Sequence, residues 1–146
     1  MQKTINEFTS LLEQSSIALA GISESDSKKK SAPEKWSKKE ILGHLIDSAA
    51  NNHQRFVRAQ LNKELRIPGY EQQVWVNTQR YQSESWPNLF QLWKSYNHHL
   101  LHIISAIPEN ALGNCCVIGD NKPVTLEFVI EDYVRHLRHH LEQILE

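Results

Sequence analysis

Apolar residues recur at helical spacing in four separate stretches of this chain, and no stretch alternates them at strand spacing between hairpin turns. Ile5, Phe8, Leu12 and Leu19 form one stripe, and Ile41, Leu45, Ala49, Asn52, Phe56 and Ala59 a second. A third helical pattern runs through LWKSYNHHLLHIISAI, and a fourth stripe joins Leu126, Val129, Ile130, Tyr133, Leu137 and Ile144. Glycine is scarce and β-branched runs are short. The fold class read from this pattern is all-α: four amphipathic helices with no sheet to cover, closing into a four-helix bundle. A chain of 146 residues with 40% hydrophobic content predicts a single domain over residues 1–146.

Local signals set the boundaries. The first helix covers roughly residues 2–20 and gives way to GISESDSKKKSAPEK, a polar stretch expected to loop outward. The second helix starts at WSKKEI, where Ser37 caps the Glu40 N–H, Glu40 reaches back to Ser37, and Trp36 is placed to staple onto Ile41. It runs to about Leu61. The segment from 62 to 84 is irregular around Pro68-Gly69, with a short extra helix predicted within residues 70–81 that presents Tyr70, Trp75 and Tyr81. Proline in SWPNLF opens the third helix, which continues to Pro108. A long connection containing Cys115 and Cys116 follows, and Thr125 offers the N-cap of a fourth helix.

Charge and composition exclude several functions. Sixteen Lys and Arg against seventeen Asp and Glu leave no electrostatic footprint for nucleic acid or an anionic membrane. No run reaches the roughly 18 apolar residues that a membrane span needs, and MQKTINEFTSLLEQSS lacks the apolar core of a signal peptide. A cytoplasmic location is expected. The adjacent cysteines fit neither a secreted disulfide framework nor a C-x-x-C ligand pair, and read as reduced thiols.

Eight histidines are the remaining compositional anomaly. Three of them fall in YVRHLRHHLEQI: His140 lies within the apolar stripe, His136 on its edge, and His139 toward solvent. His136 and His140 are one turn apart, with Cβ atoms roughly 5–6 Å from each other, so their rings can converge on one ion. An i,i+4 pair also arises by chance as polar surface, so a third ligand is required. On the second helix His44 flanks the apolar stripe, with Ser48, Asn51 and Arg55 behind it. Two histidine-bearing polar edges in one bundle can meet in a pocket between helices. His53 lies across the second helix from His44, and His98, His99 and His102 follow no shared face with a clear partner; each reads as a solvated or partly buried structural residue. There is no H-E-x-x-H, no Gly-rich phosphate loop and no G-x-S-x-G elbow.

The Trp before the second helix, the run H-L-x-D-S with Asn51 and Arg55-Phe56 downstream, the Pro-Gly-Tyr loop with Trp75, and the final H-x-x-x-H together resemble the DinB-like superfamily. The likeness is greatest to its YfiT-like branch of metal-dependent hydrolases and low-molecular-weight-thiol S-transferases, and it spans nearly the whole chain. The resemblance implies a four-helix bundle holding one divalent ion, zinc or nickel, through His44, His136 and His140. It also implies a small-molecule substrate, with a low-molecular-weight thiol as a candidate, and a homodimer.

Three neutral histidines leave such an ion charged and with an open position, as in catalytic sites. Water or a thiol bound there loses its proton near neutral pH, so hydrolysis and S-transfer are both open to one site. Asp47, one turn from His44, is a candidate to orient a ligand or accept a proton; Asn51 and Arg55 are candidates to hold a polar or anionic substrate group. Tyr70 and Trp75 are candidates to roof the pocket. Two non-enzymatic readings stand beside these: a bundle whose ion merely fastens the second helix to the fourth, and a metal-free bundle that binds a protein partner.

Overall fold

The computed structural model describes residues 1–146. It contains helices α1 (Gln2–Ala20), α2 (Glu24–Ser27), α3 (Lys38–Leu61), α4 (Gln72–Gln79), α5 (Trp86–Ser105) and α6 (Leu126–Leu145), with strands β1 (Glu64–Ile67), β2 (Cys115–Ile118) and β3 (Val124–Thr125). The four long helices form the bundle. Helix α3 packs against α5 and α6, and α1 packs against the same two, so α1 and α3 stand at opposite corners. Consecutive helices α5 and α6 are diagonal as well, which the long connection between them permits.

The predicted helix starts are built as their capping residues dictate. Ser37 accepts from the Glu40 N–H at 3.2 Å while Glu40 Oε2 accepts from the Ser37 N–H at 2.8 Å. Thr125 accepts from the Phe128 N–H at 3.1 Å and opens α6. Between the helices the apolar stripes close one core in which Phe8, Phe56, Leu45, Leu100 and Leu137 are wholly buried. Tyr133 stands edge-on between Phe8 and Phe56, with centroids at 5.8 and 5.7 Å. Its buried hydroxyl donates to Asn97 Oδ1 at 2.6 Å, which satisfies both groups inside the core.

Two expectations are corrected. A small sheet exists where none was predicted: β1 and β2 pair in parallel, Glu64 opposite Cys115, and β2 pairs antiparallel with β3, Cys115 opposite Thr125. Parallel neighbours need a long crossover, here the whole run from α4 through α5, so no hairpin turn announces them. The polar stretch after α1 is also not a free loop. Its short helix α2 places Glu24 2.5 Å from the buried Lys39 ammonium, and the second carboxylate oxygen accepts from the Trp86 N–H at 2.7 Å. Those bonds hold the Glu24 carboxyl down to about 2, the Lys39 hydrogen bond contributing most. One carboxylate thereby fastens α2 to the starts of both α3 and α5.

Helix α3 is buried more completely than one stripe allows. From Leu42 to Ala49 every side chain is buried, because α5, α6, α4 and the 3-10 turn at Tyr81–Ser83 surround it. Gly43 is required at one of these contacts: a Cβ there would lie 2.1 Å from Tyr81 Cδ2. The near half of α3 is thus encased, and the polar groups it carries are held in fixed surroundings.

Candidate metal centre

Helix α3 contributes His44 from its encased half, and α6 contributes His136 and His140 from successive turns. Ring centroids are 5.0 Å apart for His44 and His136, 4.8 Å for His44 and His140, and 4.5 Å for His136 and His140. One nitrogen from each ring lies within 4.8 Å of the others. The Nε2 atoms of His44 and His136 face each other at 3.1 Å. Two nitrogens on one zinc-like ion at about 2.0–2.1 Å in a tetrahedron stand roughly 3.3 Å apart, so this pair has the spacing of co-ligands. His44 is fully buried, while His136 and His140 are half-buried.

All three imidazoles are held neutral. Burial, reinforced by His136 and His140, pushes His44 down to about 3, and burial with His140 pushes His136 down to about 4. Burial lowers His140 too, although Gln143 opposes the shift. A neutral imidazole offers a lone pair and tolerates a cation that a protonated ring repels. His140 Nδ1 meets Gln143 Oε1 at 2.8 Å; a carbonyl oxygen can only accept, so Nδ1 carries the hydrogen and Nε2 the lone pair. The same Gln143 amide reaches the exposed His139 Nε2 at 3.2 Å, which leaves His139 beside the cluster and outside it. His44 Nδ1 and His136 Nδ1 are buried without partners. Three neutral nitrogen donors, two of them already at ligand spacing, fit a divalent ion of borderline softness.

Trp36 does not simply staple the helix start. Its ring lies 5.1 Å from that of His44, and its Nε1 donates to Gln73 Oε1 of α4 at 3.2 Å, so it covers one side of the cluster.

A cleft of about 480 Å³ opens beside His136 between α3, α6 and the sheet. Arg55, Asn52 and Ser48 form its α3 wall, Tyr70 and Phe128 flank it, and Lys122 lies at its rim. Arg55 therefore reaches the cleft. Asp47 and Asn51 do not line it: the Asn51 amide donates to the Asp47 carbonyl at 2.9 Å, and Asp47 Oδ1 accepts from Tyr81 Oη at 2.6 Å and from Gln79 Nε2 at 2.7 Å. Burial raises the Asp47 carboxyl above its usual range, and its Oδ2 has no partner. Tyr70 lines the cleft with Trp75 packed on it at 4.9 Å, while Trp75 stays outside. Asn52 was legible only as part of the apolar stripe, and Asp132 and Lys122 carried no sequence signal. His53, read as a solvated or partly buried structural residue, faces Tyr96 Oη at 3.1 Å and the His99 ring at 5.3 Å on the α3–α5 surface.

These observations define a class: a four-helix bundle with a three-histidine cluster at the junction of two helices, open to a cleft. The DinB superfamily model matches residues 7–144, and the chain belongs to that superfamily. Among solved structures, YfiT from Bacillus subtilis, described as a probable metal-dependent hydrolase with an unusual four-helix bundle topology, superimposes with a TM-score of 0.84 at 18% identity. That match covers 98% of this chain and 82% of the other. The mycothiol-dependent maleylpyruvate isomerase matches with a TM-score of 0.82 at 12% identity, over 98% of this chain and 60% of that one. Both likenesses are likenesses of fold. A comparison with curated proteins finds no match.

Proposed function

We propose that the protein is a metal-dependent enzyme in which His44, His136 and His140 hold one divalent ion, zinc or nickel, and which transfers a low-molecular-weight thiol to a small electrophile. The observation that carries the reading is the convergence of three neutral imidazoles from α3 and α6 within 4.8 Å, beside a cleft large enough for a small molecule. An ion held there supplies a Lewis acid that lowers the pKa of a bound thiol or water.

The chain's own residues divide the remaining work. His44 is fully buried among the surrounding helices, with the Trp36 ring 5.1 Å from its own. Gln143 selects the His140 tautomer, which presents Nε2 to the cluster. The half-buried His136 stands between cluster and cleft, so substrate approaches from that side. Thiol dependence in one structural neighbour and the hydrolase description of the other leave hydrolysis of a small molecule as the second reading. Asp47 is held by Tyr81 and Gln79 and is assigned to positioning rather than to proton transfer.

Elemental analysis of protein purified without a histidine tag is expected to find about one ion per chain, lost in His140→Ala. The loaded protein is then incubated with a panel of thiols and a haloalkyl bimane electrophile, against the metal-stripped form. A metal-dependent rate supports transfer. No rate with any thiol or hydrolysable ester, with a large drop in Tm on stripping, assigns the ion a purely structural role.

A further inference from the structure

A second pair of imidazoles meets on the side of α3 that faces away from the three-histidine cluster. Nine residues separate His44 from His53 on α3, two and a half turns, so the two side chains leave the helix in opposite directions. That turns His53 toward α5, which packs along α3. The two helices start side by side, where the Lys39 ammonium donates to the Glu84 carbonyl, and they run in parallel from there. Fifteen residues on from Lys38 and thirteen on from Trp86, His53 and His99 come level.

Their rings stand edge-on, with centroids 5.3 Å apart and planes at 83°. Two imidazoles bound to one zinc-sized ion, each nitrogen at about 2.0–2.1 Å in a tetrahedron, have ring centres roughly 5 Å apart. His44 and His136 show the same arrangement, 5.0 Å and 76°, with their Nε2 atoms at 3.1 Å. His53 is half-buried, and its Nδ1 meets Tyr96 Oη at 3.1 Å. The phenol oxygen can accept the Nδ1 hydrogen, which leaves the Nε2 lone pair for an ion and fixes the ring, as supporting partners of metal-bound histidines do. Burial, reinforced by His99, holds His53 below the usual histidine range and therefore neutral at pH 7. His99 is exposed, so an ion reaches the pair from solvent. The His102 ring lies parallel to that of His99 at 6.4 Å, stacked instead of converging, and is not counted as a ligand.

We propose that His53 and His99 form a second metal site, which takes a late first-row divalent ion and pins the far half of α3 to α5. Two imidazole donors suit copper, nickel or zinc, while magnesium and calcium require oxygen ligands. The site stands on its own geometry and does not rest on the three-histidine reading. With two protein ligands in place of three it holds its ion more weakly, so dialysed protein keeps it empty and carries only the ion of the three-histidine centre.

The test titrates untagged full-length protein, dialysed after purification, with Ni²⁺ and with Zn²⁺ by calorimetry. One event per chain is expected to depend on His99. His99→Ala, a change at an exposed residue, is expected to weaken that event at least about tenfold, since losing a ligand costs no less than losing a partner that supports one. His98→Ala, at the exposed neighbour on another face of α5, is expected to leave it unchanged. Cu²⁺ is expected to bind there more tightly than Ni²⁺ or Zn²⁺, and Mg²⁺ not at all. Zinc at a hundredfold excess over Kd is expected to raise Tm by roughly 5–10 °C, an increment lost in His99→Ala and kept in His98→Ala. No event that His99→Ala weakens, an event lost equally in His98→Ala, or one that Mg²⁺ shares overturns the site. Failure of the three-histidine reading is distinguishable, because it removes the ion retained through dialysis and leaves the His99-dependent event in place.

Discussion

Gly43→Ala is the substitution for which the structure and ordinary helix propensity disagree most sharply. In the middle of a helix, replacing glycine by alanine gains about 1 kcal/mol. Here the new Cβ would meet the Tyr81 ring at 2.1, 2.3 and 2.5 Å, against an ordinary carbon contact of about 3.5–4.0 Å. The ring must retreat by about 1.5 Å to restore that contact. Tyr81 is 7% exposed, and its hydroxyl bonds Asp47 Oδ1 at 2.6 Å, so the retreat also strains or breaks a buried hydrogen bond. Overpacking costs about 1–3 kcal/mol and the unmade bond about 1–3 more. The net loss is about 1–5 kcal/mol after the propensity gain, which for a domain of this size is a fall of roughly 3–20 °C in Tm. Scanning calorimetry of Gly43→Ala measures it, with the same change on a Tyr81→Ala background as the control, where it is expected to be neutral or stabilising. A Gly43→Ala protein that melts at or above the wild type refutes the account of how Tyr81 is packed against α3.

The other predictions concern charge, caps and the ion. Because folding lowers the His44 and His136 pKa values to about 3 and about 4, the unfolded chain binds protons first: below pH 6.5 the apo-protein loses stability as pH falls, until about pH 3–4. At pH 5 the loss is about 2 kcal/mol for the buried His44 and smaller for the half-exposed His136, read from urea midpoints between pH 7 and pH 4.5. His44→Phe is expected to flatten that profile. Ser37→Ala removes the cap of α3 and is expected to cost about 1 kcal/mol in chemical denaturation, with little effect on metal content. Chelation of a bound ion is expected to lower Tm in the wild type and to leave the Tm of His140→Ala unchanged, since only the folded state binds it tightly.

The long helices were legible because each carries its own local instructions. The reciprocal Ser37–Glu40 bonds and the Thr125 cap are contacts within four residues, and the stripes of α1 and α6 bury the residues their spacing selects, Ile5 only in part. The sheet was not legible, because β1 and β2 have four residues each and β3 has two, too few for alternation to register. Their pairing joins Leu65 to Cys116 across the whole α4–α5 excursion. Glu24 reads as a charge in a polar linker and becomes a tie only once Lys39 and Trp86 arrive beside it. For the candidate site, helical phase put His44 and His136 on the edges of two apolar stripes and His140 within one, and the fold brings the three together. The wheel could not place Asp47 against Tyr81, since that contact depends on where the chain returns after α4. Nor could it show that Arg55 faces a cleft closed on its far side by Ile118 and Val124 of the unforeseen sheet.

Anomalous diffraction from crystals of the untagged protein, collected across the zinc and nickel edges, puts the claim at greatest risk. The account predicts one strong peak among the rings of His44, His136 and His140, about 2.0–2.2 Å from one nitrogen of each, with a coordination position free toward the cleft. A peak at any other place, a fourth protein ligand sealing the ion from the cleft, or no peak at either edge contradicts it.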